Sequence, residues 1–254
     1  MPNNSLNDYA VLITGGTTGL GLSHARVLGM RGAKVAITDF NQGNLDQAKA
    51  ALKGDGIAAL CLKADNRVVA EVKAAVATAE AEFGKLDVLV NNAGITGLMA
   101  PIEHVDEAFF DSLFDTHVKG AFFAVQAAVP GMKKRQFGRI INTGSTFVMT
   151  GSPAMSHYAG AKGALTALAR SWAREFAPYK ITVNTVSPGF TDTPMTRHDA
   201  SPEIFKEIIE SMALKRQVLP EEVSYAVAWL ASREADAVTG QNISPNCGQA
   251  IVGI

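Results

Sequence analysis

The chain has 254 residues, 47% of them hydrophobic, with a formal net charge of −1 and a pI near 6.5. A chain of this length buries a large core without disulfide staples, and its balanced charge offers no basic face to nucleic acid. Neither of the two cysteines, Cys61 and Cys247, has metal-ligand spacing, so no metal site is expected.

The first eight residues are polar and carry no Lys or Arg. The apolar run that follows, residues 10–13, is too short for a secretion signal or a membrane span. A cytoplasmic protein without a membrane partner is expected, with a reducing compartment as the default for its thiols. Short β-branched runs then recur at residues 11–14, 34–39, 57–64, 86–91, 138–143, 181–186 and 241–244. Ala-rich segments of helical character separate them at 45–52, 68–83, 109–134, 158–176 and 221–232. Continuous apolar strands are buried on both faces, as in a parallel sheet covered by helices. The alternation predicts an α/β fold: a single-domain, Rossmann-type, doubly wound parallel sheet of about seven strands with helices on both faces. No linker, repeat or low-complexity tract divides residues 1–254. One segment breaks the alternation, 189–216, punctuated by Pro188, Pro194 and Pro202 and with a short helix expected from 202 to 211. Long excursions at the carboxyl ends of strands serve as lids, and a substrate lid is expected here.

The first strand runs into Gly15-Gly16-Thr17-Thr18-Gly19-Leu20-Gly21 and then a helical segment. Gly15 permits the turn, Gly19 admits a close backbone approach to a pyrophosphate, and Gly21 lets the helix pack closely. Free N–H groups at the helix start favour phosphates, and the Thr17 and Thr18 hydroxyls add donors. The spacing is G-x-x-x-G-x-G, and the context between strand and helix raises a signal that is weak alone. Asp39 ends the second strand, where an acid accepts from the adenosine ribose hydroxyls and repels a 2′-phosphate. Its neighbour Phe40 is apolar and no Arg or Lys stands beside it, so the cofactor expected is NAD rather than NADP.

Tyr158 and Lys162 share one helix face at i,i+4 spacing. An ammonium there draws the phenol, near pH 10 when free, toward neutrality, so that Tyr158 exchanges a proton with an alcohol or carbonyl oxygen. By itself Y-x-x-x-K is common. Here Ser145 follows the 138–143 strand, Asn91-Asn92-Ala93-Gly94 closes the 86–91 strand, and Pro188-Gly189 closes the 181–186 strand, followed by Thr191 and Thr193. With the glycine loop at the end of the first strand, four strand ends thus gather at the edge where such sheets bind ligands.

With these motifs in order, from Leu12 to about Gly248, the sequence resembles the short-chain dehydrogenase/reductase family. The resemblance implies Ser145 as substrate positioner, Tyr158 as acid/base, and Lys162 as binder of the nicotinamide ribose and tuner of Tyr158. It also implies that Asp65 meets the adenine edge, that Asn92, Ala93 and Gly94 line the adenosine side, and that Thr191 and Thr193 reach the pyrophosphate and nicotinamide amide. The expected cofactor surface further includes Leu20, Phe40, Ala64, Asn66, Thr143, Pro188 and Gly189. Members are usually dimers or tetramers, so a homotetramer or homodimer is expected, with the helices at 109–134 and 158–176 forming one interface.

Two positions depart from the family pattern. His117 stands where the family often has an Asn that holds a water behind the lysine; it joins the proton relay through its ring, with a pH dependence near 6.5, or leaves the work to its backbone. Asn246-Cys247-Gly248 replaces the family's acid-Gly-Gly turn. The residues expected around the nicotinamide are Ile95, Phe147, Met149, Met155, Phe190 and Met195, apolar walls for a substrate with a substantial apolar part. Arg197 and His198 on the lid are read as a solvated charge pair rather than an anion site. The activity expected is hydride transfer between NAD(H) and a secondary alcohol or ketone. The alternatives are an NADPH-dependent carbonyl reductase, disfavoured by Asp39, and a non-catalytic NAD-binding regulator, disfavoured by the intact Ser145, Tyr158 and Lys162.

Overall fold

The structure, a computed structural model, describes residues 6–96, 99–199 and 202–252, without the side chains of His198, Asp199, Pro202 and Ile204. The expectation for His198 therefore lies outside the described residues. Strands β1 (Ala10–Ile13), β2 (Lys34–Asp39), β3 (Leu60–Lys63), β4 (Val88–Asn91), β5 (Gly138–Thr143), β6 (Ile181–Val186) and β7 (Asn242–Ile243) form one sheet in the order β3-β2-β1-β4-β5-β6-β7. Every pairing is parallel, so all carboxyl ends reach one rim. The strand order reverses between β1 and β4, which opens a crevice at their ends.

Successive strand residues point to opposite faces, and the two core layers follow that period. Val11 and Ile13 of β1, Val35 and Ile37 of β2, and Val88 and Val90 of β4 pack on one face with α1 (Gly19–Met30), α2 (Gln42–Gly54) and Val223 and Val227 of the helix Pro220–Ala231. Leu12, Ala36 and Leu89 point the other way, onto α3 (Val69–Phe83) and onto Ala124, Ala128 and Trp172. Burying each of the larger side chains stabilises the fold by about 1.5–3 kcal/mol.

Three elements differ from expectation. The strand expected at 57–64 pairs only over β3, because Gly56 turns the chain with φ 78° and residues 57–59 precede its register with β2. The strand expected at 241–244 narrows to β7. The helix expected at 109–134 is three pieces: α4 (Glu107–Phe114), a π-helical turn at Asp115–Lys119, and α5 (Gly120–Arg135). The widened turn carries His117 inward and offers the Thr116 carbonyl to the Asn66 amide at 2.6 Å. Beyond β5 come α6 (Phe147–Thr150) and α7 (Ser156–Phe176), then after β6 α8 (Pro194–Asp199), α9 (Pro202–Ser211) and α10 (Pro220–Ala231). The segment expected as a lid thus carries α8 and α9, and Phe205 of α9 packs edge-on against Phe190, ring centroids 4.9 Å apart.

Candidate active site

A cleft of about 660 Å³ runs along the carboxyl rim of the sheet. Every residue expected at the cofactor or in catalysis lines it except Thr17. Thr17 is buried beneath the loop, and its hydroxyl donates to the carboxylate of Asp39. The other Asp39 oxygen accepts the Asn41 N–H at 2.8 Å, so the carboxylate is held at the end of β2 from two sides.

The glycine loop is stapled from below. The Asn92 amide donates to the carbonyls of Thr14 and Gly15 at 3.1 and 2.9 Å, and the Thr14 hydroxyl accepts the N–H groups of Asn92 and Ala93. Asn92 thereby positions the loop with its side chain. A Cβ on Gly21 would stand 2.0 Å from the Gly15 carbonyl oxygen, which only glycine avoids. Thr18, the N-cap of α1, makes no side-chain cap bond. The leading N–H groups of α1, at Gly19, Leu20 and Gly21 on the cleft wall, are therefore left for the anionic oxygens of a ligand. This cradle fits the pyrophosphate of a dinucleotide.

Beside Asp39, exposed Phe40 and the Asp65–Arg67 pair face the cleft. Arg67 grips Asp65 through Nε and Nη2, at 3.0 and 2.6 Å, and holds its carboxyl below the usual range. Sequence reasoning did not place Arg67 here; only the turn after β3 brings it to the rim. Asn66 faces both the cleft and the π-helical turn.

At the other end, Ser145 lies two residues past β5, its hydroxyl accepting the Phe147 N–H at 3.2 Å. Tyr158 and Lys162 rise one turn apart on α7. Lys162 is buried and donates to the Thr143 carbonyl at 2.8 Å, with Nζ 5.7 Å from the Tyr158 ring centroid. Burial lowers the lysine pKa to about 7 and pushes the Tyr158 phenol up to about 12, against a hydrogen bond from Ser145 that pulls it down. The phenol thus lies above its free value, against the lowering expected from Lys162. Desolvation outweighs the Ser145 bond, and a lysine near 7 carries only part of its charge at neutral pH.

His117 is buried behind this pair. Its Nε2 lies against the Ile95 backbone, 3.1 Å from the N–H and 2.7 Å from the carbonyl, while Nδ1 is buried without a partner among the described residues. Burial, then the Lys162 charge, drives its pKa well below 6.5, against the Ile95 bond. Of the two readings of His117, a ring titrating near 6.5 is therefore disfavoured, since its pKa lies well below that value.

Beyond Tyr158 the walls are Ile95, Phe147, Met155, Phe190 and Met195, as expected; Met149 is not among the lining residues. Arg197 forms a two-pronged pair with Asp192 at 2.7 and 2.9 Å, in keeping with a solvated ion pair. Two further residues organise this end. Thr193 precedes Pro194 at the start of α8, and the Thr196 hydroxyl ties the turn by donating to the Thr191 carbonyl at 2.6 Å, a helix-start pattern visible in Thr-Pro. Gln249 accepts the Phe190 N–H at 2.7 Å from beyond the last strand, where no sequence signal marks it. The Asn246 turn is self-sufficient: its side chain accepts the Gly248 N–H at 2.8 Å and donates to the Ala250 carbonyl at 3.0 Å.

A family model described as enoyl-(acyl carrier protein) reductase matches residues 15–250. The chain is 36% identical to 2-(S)-hydroxypropyl-CoM dehydrogenase 3 of Xanthobacter autotrophicus, over 98% of this chain and 100% of that protein. It is equally 36% identical to cyclopentanol dehydrogenase of a Comamonas species, over 94% of this chain and 95% of the relative. It superimposes on NAD+-bound xylitol dehydrogenase with a TM-score of 0.91 at 30% identity, covering 96% and 99% of the two chains. Fold and rim define an oxidoreductase of alcohols and ketones that works with a nicotinamide cofactor. The chain belongs to the short-chain dehydrogenase/reductase family.

Proposed function

We propose that this protein is an NAD-dependent dehydrogenase of an uncharged, largely apolar secondary alcohol, with Tyr158 as its acid/base. The carrying observation is the grouping of Ser145, Tyr158 and buried Lys162 on one wall of a cleft whose other end is guarded by Asp39. The nicotinamide ring, when bound, supplies the hydride acceptor for the carbinol carbon. Ser145 holds the substrate oxygen by its hydroxyl. Tyr158 takes the hydroxyl proton in oxidation and returns it to the carbonyl oxygen in reduction. Lys162, anchored on the Thr143 carbonyl, would hold the cofactor's ribose hydroxyls and stabilise the phenolate with its ammonium.

The choice of NAD rests on Asp39, whose carboxylate is fixed by Thr17 and Asn41 and would repel a 2′-phosphate. Arg67, the only arginine lining the cleft among the described residues, is already engaged by Asp65. A neutral substrate is supported by the apolar walls around Tyr158 and by the pairing of Arg197 with Asp192. Residues 189–216, carrying α8 and α9, act as the substrate lid. Partly exposed Phe122 on α5, beside Trp172 of α7, supports assembly as a homotetramer or homodimer through those helices. Among the described residues no helix is long and apolar enough to cross a membrane, and a cytoplasmic enzyme is inferred.

The test is nicotinamide absorbance with NAD and then NADP over a panel of secondary alcohols, with Tyr158→Phe alongside. Turnover with NAD that disappears in the variant is expected. Higher efficiency with NADP overturns the cofactor assignment, and unchanged turnover in Tyr158→Phe overturns the mechanism.

A further inference from the structure

At the opposite end of the sheet, the amino ends of β5 and β6 open into a second cavity of about 460 Å³. Its walls carry four cations, Arg135, Arg139, Lys180 and Arg233, and one acid, Asp236. Arg139 is the second residue of β5 and is 2% exposed. Its Nη2 donates to Asp236, its Nη1 donates to the Gly138 carbonyl at 3.1 Å, and its guanidinium lies 4.4 Å from the Phe137 ring centroid. Its Nε, also buried, has no partner among the described residues.

Arg233 lies over the same phenyl ring at 5.1 Å and shares the same carboxylate, 3.7 Å from Asp236. One acid thus serves two guanidinium groups. Arg135 is matched by Glu80 at 2.8 Å. Lys180, exposed, stands at the start of β6 with no anionic partner among the described residues. Glu80 and Asp236 leave two of the four positive charges uncompensated. The Thr239 hydroxyl at the wall accepts the Val183 N–H at 3.0 Å and keeps its own proton to donate. Two uncompensated positive charges gathered in a concavity call for an anion.

We propose that this cavity is a binding site for a small, multiply charged oxyanion of the phosphate class, separate from the dinucleotide cleft. The exposed Arg233 guanidinium, which only shares the Asp236 carboxylate, and the unpaired Lys180 supply the charge that a tetrahedral oxyanion would meet. The site lies at the amino end of the strands, away from the chemistry, so its occupancy adds stability without entering the reaction.

The experiment is calorimetric titration of the full-length enzyme with sodium pyrophosphate, against sodium chloride at equal ionic strength. Saturable binding is expected, weakened by about tenfold or more in Lys180→Gln/Arg233→Gln, since each lost charge-assisted contact is worth about a factor of ten. Lys180→Gln alone, at an exposed and unpaired residue, gives the same direction should the double variant fold poorly. No saturable heat beyond the chloride control overturns the proposal. So does an affinity that folded variants leave unchanged, which would place the anion at the glycine loop instead.

Discussion

The ring of His117 stands edge-on to the ring of Tyr158, with centroids 5.7 Å apart and planes at 87°, while its Nε2 is fixed on the Ile95 backbone. A buried, neutral imidazole thus forms the back wall of the Tyr158 ring and joins α7 to the loop after β4. Gly94 makes the arrangement possible, because a Cβ there would meet the imidazole Cε1 at 2.4 Å.

Gly94→Ala is expected to lower stability by about 1–3 kcal/mol through overpacking and to reduce turnover by displacing His117. Combining it with His117→Asn, which removes the clashing ring edge, should recover part of the stability. Urea unfolding of the three variants measures this; strictly additive losses would show that the ring and Gly94 do not share the space. Because the imidazole is neutral, His117→Asn should leave the pH profile of turnover unshifted near 6.5.

Ser145→Ala is expected to reduce kcat by about 10²–10³-fold and Tyr158→Phe by about 10²–10⁴-fold, with NAD affinity retained. Alcohol oxidation should speed up as pH rises, because it needs the phenolate. Ketone reduction should fall, because it needs the phenol that burial favours. Parallel profiles in the two directions would remove Tyr158 from the proton path.

Lys162 is buried at a cost to stability. Burial lowers its pKa to about 7 from 10.5, so the desolvation cost is full below pH 7 and fades as pH rises toward the free-lysine value. Lys162→Met should therefore stabilise the cofactor-free protein by about 2–4 kcal/mol at pH 6, less at pH 9, while abolishing turnover. Thermal melts at the two pH values test the sign.

Asp39→Ala should shift the ratio of efficiencies toward NADP by about tenfold or more, since a repelling carboxylate is removed. Thr17→Val, which removes the hydroxyl that holds Asp39, should shift the ratio in the same direction by less. Kinetics with both cofactors check the order of the two effects.

Acid sensitivity has an identifiable source far from the cleft. His24 on α1 shares a hydrogen bond of 2.8 Å with Ser224 on α10, and burial lowers its pKa to about 3. Its neutral form is the folded form, so its contribution is complete above 6.5 and is lost as pH falls from 6.5 toward 3, roughly 5 kcal/mol in all. His24→Gln should flatten that part of the stability profile, measured by urea unfolding between pH 7 and 4.

Much of the rim was legible in the chain. The glycine loop, Asp39, Ser145, Tyr158, Lys162 and the Pro188-Gly189 turn are local patterns, each set by a strand ending and a helix beginning. The apolar runs fixed the sheet for the same reason, since strand periodicity is a property of neighbouring residues. What local pattern does not encode is contact between distant segments. The sharing of Asp39 by Thr17, the pairing of Arg67 with Asp65 at the rim, Gln249 on the Phe190 backbone and the π-helical turn that aims His117 at Ile95 all arise from elements meeting in space. The sequence by itself determined which groups line the rim. The tertiary structure decided their proton states, because burial and not residue type placed Lys162 near 7, Tyr158 near 12 and His117 in its neutral form.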